Sequence, residues 1–276
     1  MDVAQRYVQS IALTARTRAV SPGGAQTMSR QPARFVEGAY PAYLARGRGA
    51  RVWDVDGNEY VDFLCGLGAL PLGHAHPAVD AAIARQLSTG LITPSLPTAL
   101  EEEVAAKLVQ VIPCAQDRGQ VRFVKTGSEA CAAAARIARR ATGRDRVIVV
   151  GYHGWHDWVM ETSDPHPGIP LTFNTIRVRY NDLQHLEDVL KDPIKLPTQT
   201  PGIAAVMLEP MLLEPPADGY LQAVVDLCHR YGALSIFDEM VCGFRWATAG
   251  GQEYFGVTPD LAVFGKGLAN GMEHKY

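Results

Sequence analysis

The segment VRFVKTGSEACAAAARIARRATGRDRVIVVGYHGWHDW (121–158) decides the fold. VRFVK (121–125) and RVIVV (146–150) are short apolar runs rich in β-branched residues, and both read as strands. Between them, 128–141 is an Ala-rich stretch with helical composition. The alternation continues downstream. TIRVRY (175–180), IAAVMLE (203–209), ALSIF (233–237) and LAVF (261–264) read as strands, 182–190 and 219–231 as helices, and 192–202 as a loop. Short apolar runs separated by helices predict an α/β fold, with a mainly parallel central sheet covered by helices on both faces.

Upstream the pattern differs. Residues 2–18 predict a helix that Ser21-Pro22-Gly23-Gly24 breaks. RVWDVDGNEYVDF (51–63) alternates around Asp56-Gly57, a hairpin signal. The Gly- and Pro-rich CGLGALPLGHAHP (65–77) follows, then helices over 77–89 and 98–111, the second opening on Glu101-Glu102-Glu103. The expected division is a small N-terminal lobe of helix, hairpin and Gly-rich segment (1–75), feeding a large domain (76–276). No internal repeat or low-complexity tract is present.

Composition narrows the class. The chain has 276 residues, 47% of them apolar, enough for a real core. A disordered chain, a collagen and a disulfide-stapled miniprotein are excluded. A net charge of -3 without a basic block leaves no electrostatic footprint for nucleic acid. The five cysteines form no CxxC pair and read as reduced thiols. The N-terminus lacks the apolar core of a signal peptide, and no stretch approaches the ~18 apolar residues of a membrane span. The expectation is a soluble cytoplasmic protein.

Ligands of open parallel sheets collect at the carboxyl ends of the strands. After VRFVK comes Thr126-Gly127-Ser128-Glu129-Ala130, opening a helix. Free amides there, with a Ser hydroxyl, suit phosphate; the plain alternative is that Thr126 or Ser128 is an N-cap. After RVIVV come Tyr152, His153, Trp155, His156 and Trp158, which could stack on a planar ring or form a packed aromatic loop. A metal site is not expected, because His153 and His156 have no convincing acidic or thiol partner nearby. After ALSIF comes Asp238-Glu239. A carboxylate ending a buried strand needs a positive charge, such as a protonated ring nitrogen, or satisfaction by backbone amides or Arg245. After LAVF comes Gly265-Lys266-Gly267, either a Schiff-base amine or a lysine snorkelling to solvent. Each feature alone has a structural explanation. Together they are the parts needed to hold pyridoxal 5'-phosphate.

At these residues the sequence resembles the fold-type I, class III aminotransferases, nearest the glutamate-1-semialdehyde 2,1-aminomutase-like subgroup. The blocks SPGG (21–24), VWDVDGNEYVDF (52–63), LGHAHP (72–77), TGSEA (126–130), YHGWHDW (152–158), LEP (208–210), FDEMVCGF (237–244) and TPDLAVFGKGLANG (258–271) carry the resemblance, in family order. It implies that Lys266 carries the cofactor and shuttles the proton between substrate and cofactor carbons. Asp238 would hold the pyridine nitrogen protonated. Thr126, Gly127 and Ser128 would lie at the phosphate, Tyr152 would stack on the ring, and His153 would adjoin it. Glu209 would lie on the substrate side, and Val241 or Met240 would pack against the opposite ring face.

The resemblance further implies a transaminase passing an amino group from an amine or amino acid to a keto or aldehyde acceptor. A 2,1-aminomutase is the alternative within the class. It also implies a homodimer, with the Gly-rich segment reaching the neighbour's site. Family members continue past the lysine motif into further sheet strands and a C-terminal lobe, whereas this sequence stops at Glu273-His274-Lys275-Tyr276. The fold expectation is therefore a large domain without its C-terminal lobe. Such a chain would be a truncated product, a frameshifted product, half of a split enzyme, or an inactive remnant.

Overall fold

The computed structural model describes residues 3–36, 39–91, 95–162, 168–172, 174–191 and 200–272. The chain divides into two compact units, Met1–Ile92 and Thr93–Tyr276. The sequence-level division falls at 75/76, ahead of the helix Pro77–Ser88, which lies in the first unit.

In the first unit, α1 (Val3–Arg6) and α2 (Val8–Val20) are separated by Tyr7, whose backbone leaves the helical region. Three antiparallel strands follow in the order β1 (Leu44–Arg48), β2 (Arg51–Asp54), β3 (Glu59–Val61). The β2–β3 hairpin turns at Asp56-Gly57, as its alternation predicts. Buried Asp54 organises the turn, accepting the Asp56 and Asn58 amides and the Tyr60 hydroxyl at 2.8–3.0 Å. Asp56 accepts the Gln9 and Ser10 amides at 2.6 and 2.9 Å, which satisfies donors at the start of α2. The Gly-rich segment contains the kinked turn α3 (Cys65–Gly68) and an isolated β-bridge between His74 and Gly49, and α4 (Pro77–Ser88) follows.

The second unit opens with α5 (Ala99–Val111), closed at its N-terminus by a Thr98–Glu101 capping box. Next come α6 (Gly127–Thr142), β4 (Arg146–Val150), α7 (Asp157–Met160), β5 (Thr175–Arg177) and α8 (Leu183–Lys191). The chain continues through β6 (Ile203–Leu208), α9 (Tyr220–Arg230), β7 (Leu234–Asp238), α10 (Gly251–Phe255) and β8 (Leu261–Val263). The five strands form one parallel sheet in the order β5-β4-β6-β7-β8.

Both faces are covered, and the period of two along each strand explains how. Val147, Val149, Ala205, Met207 and Ile236 pack against Cys131, Ala134, Ala135 and Ala138 of α6. The intervening Ile148, Val150, Val206, Leu208 and Phe237 pack against Leu186 and Leu190 of α8 and Val224 and Cys228 of α9. At the start of β6 the alternation slips by one residue, where the register with β4 shifts between Arg146 and Val147.

One predicted strand is absent. VRFVK (121–125) forms no ladder among the described residues, and its last four residues are exposed. β-propensity reflects fit to a pleated, half-buried surface, and here no neighbouring strand supplies that surface. TIRVRY is strand only over Thr175–Arg177, although the Val178 amide still reaches the Val149 carbonyl at 3.1 Å. Conversely, LARGR (44–48) carries no strand signal but pairs with β2. Most of the expected loop 192–202 lies outside the described residues. No described helix is long and apolar enough to cross a membrane.

Candidate active site

The parallel arrangement brings all strand carboxyl ends to one edge of the sheet. β7 ends on Asp238, β6 leads into Glu209, β4 into Gly151-Tyr152-His153, and β8 into Gly265-Lys266. Ile236 faces α6 and Phe237 the other layer, so alternation turns Asp238 towards α6.

There Asp238, only 2% exposed, is held by three donors. His153 Nδ1 lies 2.7 Å from Oδ2, Cys131 Sγ lies 3.4 Å from the same oxygen, and the Met240 amide donates to Oδ1 at 3.0 Å. With Asp238 ionised, Nδ1 of His153 carries the donated proton. His153 Nε2 is then buried with no hydrogen-bond partner among the described residues. Burial and the Asp238 carboxylate push the Cys131 thiol far up, so it stays protonated.

Glu209 is buried at the adjacent strand end and accepts the Tyr152 amide at 2.9 Å. Burial raises its carboxyl above the ordinary range, the Asp238 charge adds to the rise, and His153 and Lys266 oppose it. The Lys266 charge also bears on Cys131. Lys266 itself is half-buried and adopts φ +43, a left-handed conformation uncommon for a residue with a side chain.

The N-terminus of α6 meets the same edge. Thr126 caps it: its hydroxyl accepts the Glu129 amide at 3.2 Å, and the Glu129 carboxylate accepts the Lys125 and Thr126 amides. The amides of Gly127 and Ser128 remain without an acceptor among the described residues. A Cβ on Gly127 would sit 2.8 Å from Met240 Sδ, so a larger residue there would make the flexible end of Met240 shift. Gly154, at φ +98, lies against Ser128, where any Cβ would collide with the hydroxyl and backbone. These contacts join the aromatic segment to the helix start. Tyr152 is 66% exposed at this edge, and Val241 is 39% exposed on the turn beyond Asp238.

The structure thus gathers Asp238, His153, Glu209, Tyr152 and the Gly127–Ser128 turn, with Lys266 in electrostatic reach. Thr126 acts as the cap that the plain structural reading allows. Arg245, offered as a partner for Asp238, instead donates to the Val241 carbonyl. In sequence His153 has no convincing acid or thiol partner. The fold supplies both, because Asp238 is 85 residues away along the chain. Cys131 was missed altogether. Its signal is helical spacing: residues 131, 134, 135 and 138 form the buried face of α6.

Comparison with known proteins places this geometry in a family. Residues 35–276 match the family described as Aminotransferase class-III. The chain is 38% identical over 274 residues to a 3-aminobutyryl-CoA aminotransferase of Cloacimonas acidaminovorans, covering 96% of this chain and 63% of that protein. It is 37% identical over 289 residues to a glutamate-1-semialdehyde 2,1-aminomutase of Desulforamulus reducens, covering 98% and 64% respectively. A transaminase solved with PLP bound superposes with a TM-score of 0.80 at 32% identity, over 94% of this chain and 61% of that one. The chain belongs to the class III aminotransferases, and its fold is that of the fold-type I transferases. It spans a little under two thirds of the length of these relatives.

Proposed function

We propose that this chain carries the pyridoxal-phosphate site of a transaminase that moves an amino group between an amine or amino acid and a keto or aldehyde acceptor. The observation that carries the reading is Asp238. An ionised carboxylate offers about four acceptor positions. His153, Cys131 and Met240 occupy three, leaving one on Oδ1 for a single further donor. A protonated ring nitrogen is such a donor. Bound pyridoxal phosphate supplies an electron sink for the substrate carbon.

Around it the residues divide the work. Asp238 holds the proton on the ring nitrogen, and His153 fixes the carboxylate. The free amides of Gly127 and Ser128, behind the Thr126 cap, receive phosphate. Tyr152 would stack on the ring, with Val241 or Met240 on the opposite side. Glu209 borders the substrate side. Lys266 Nζ would anchor the group and, once freed, would take up and return the substrate proton. We further propose that the large domain begins near residue 76, that the complete assembly is a cytoplasmic homodimer, and that a separate C-terminal half could complete the site. The aminomutase relatives support a second reading, in which nitrogen moves within one molecule.

The test is spectral. Chain mixed with pyridoxal phosphate should turn yellow, and borohydride should fix the adduct on Lys266. Lys266→Ala keeping the same reducible adduct would falsify the assignment. Amine donors should bleach the visible band, and keto acids restore it. Turnover of glutamate-1-semialdehyde alone, without a second substrate, would favour the aminomutase.

A further inference from the structure

The three donors to Asp238 are not equivalent. His153 Nδ1 and Cys131 Sγ share Oδ2, while Oδ1 receives, among the described residues, only the Met240 amide. The side chains of Asp238, His153 and Cys131 are at most 2% exposed. The thiol reaches the carboxylate because α6 lies close to the sheet. Its buried neighbours on that face, Ala134, Ala135 and Ala138, are small enough to allow it.

The same atoms could be read as a metal site, since the ligand atoms of Cys131, His153 and Asp238 all lie within 4.8 Å of one another. The geometry argues against it. Two ligands on a tetrahedral zinc, with bonds of ~2.0 Å, sit ~3.3 Å apart. His153 Nδ1 and Asp238 Oδ2 are 2.7 Å apart, a hydrogen bond to each other. The cluster is a hydrogen-bonded triad.

We propose that Cys131 is a positioning residue of the cofactor site: its thiol donates to Asp238 Oδ2 and, with His153 on the same oxygen, turns the carboxylate so that Oδ1 alone meets the ring nitrogen. The inference rests on the reading of Asp238 as ring-nitrogen partner. Losing the thiol leaves His153 on Oδ2 and the Met240 amide on Oδ1, so the carboxylate stays partnered but is held less tightly. Serine retains a donor at this position. Valine fills the space without one, and alanine does neither.

Two measurements test it on the full chain. The first needs no cofactor. The S–H stretch falls in a Raman window clear of other protein bands, and the difference between wild type and Cys131→Val, or Cys131→Ser, isolates the Cys131 band. It should lie at the lowered frequency of a hydrogen-bonded thiol; the frequency of an unbonded thiol overturns the proposal. The second titrates pyridoxal phosphate by its visible band. Cys131→Val and Cys131→Ala should weaken its binding about three- to tenfold, the worth of one modest hydrogen bond, and Cys131→Ser should restore it. Wild-type affinity in both Cys131→Val and Cys131→Ala overturns the role of Cys131 alone. If wild type yields no borohydride adduct on Lys266, the underlying cofactor reading fails, and this role falls with it.

Discussion

RVIVV (146–150) and VRFVK (121–125) are near-equivalents in sequence and opposites in structure. Each is a five-residue run mixing β-branched and basic residues, and each leads into a segment of the site. The first is β4, buried along its whole length, with β5 on one side and β6 on the other. The second joins no strand ladder among the described residues and leaves Phe123 and Val124 more than two-fifths exposed. Local preference is the same; neighbours differ. A strand is a property of its ladder, because backbone donors and acceptors must be paired before apolar side chains can be buried beside them. Thr126 and Glu129 still hold their place after VRFVK because the capping box of α6 fixes them, not a strand.

Substitution in the two runs breaks this comparison most directly. Ile148 is fully buried between β4 and the α8–α9 layer. Ile148→Ala should cost about 2–5 kcal/mol in urea denaturation of the chain, through lost burial and the cavity left behind. Amides of 146–150 should exchange slowly with deuterium and those of 121–124 rapidly. Equal protection of both runs would show that VRFVK is paired in solution.

The ends of the buried strands show how polar groups survive where the ladder stops. Glu239, directly after β7, is fully buried and accepts the Gly251 and Gln252 amides at 2.7 and 2.8 Å. Burial still prevails over those bonds and pushes its carboxyl up to about 7. A folded-state pKa raised above the unfolded one gives stability that is full below the ordinary glutamate range and lost as pH rises through about 7. Glu239→Gln removes that dependence. Its amide group serves only one of the two backbone donors well, a cost of about 1–3 kcal/mol at low pH. Melting temperatures between pH 5 and 8 should therefore differ most at pH 5 and converge towards pH 8. A constant difference across the range would show that Glu239 does not titrate there.

The same contrast explains what the sequence revealed. β4, β6 and β7 are legible because complete burial on two faces demands uninterrupted apolar runs, and Asp238 and Lys266 stand out where such runs end. β1 was not legible: Leu44–Arg48 holds a glycine and two arginines and becomes a strand only through pairing with β2. The Asp238 triad was half legible. Its carboxylate announces itself, but His153 comes from another strand end, and Cys131 reads as one small residue in an Ala-rich helix. Contacts across the sheet depend on which strands become neighbours, and no local pattern states that order.

The smallest expected effect sharpens the comparison most. Thr126 and Val124 are two residues apart and both exposed, but only Thr126 has a defined partner, the Glu129 amide. Thr126→Ala should cost about 1 kcal/mol by removing the cap of α6. Val124→Ala should change stability by less than about 0.5 kcal/mol, because its side chain is already in contact with water and no ladder depends on it. Both are read from the same urea midpoints as Ile148→Ala. A cost for Val124→Ala near that of Ile148→Ala would mean that a further strand lies against 121–125 in solution and covers the side chain. The lack of a cost would mean that the turn at Gly127 is held by its helix cap alone.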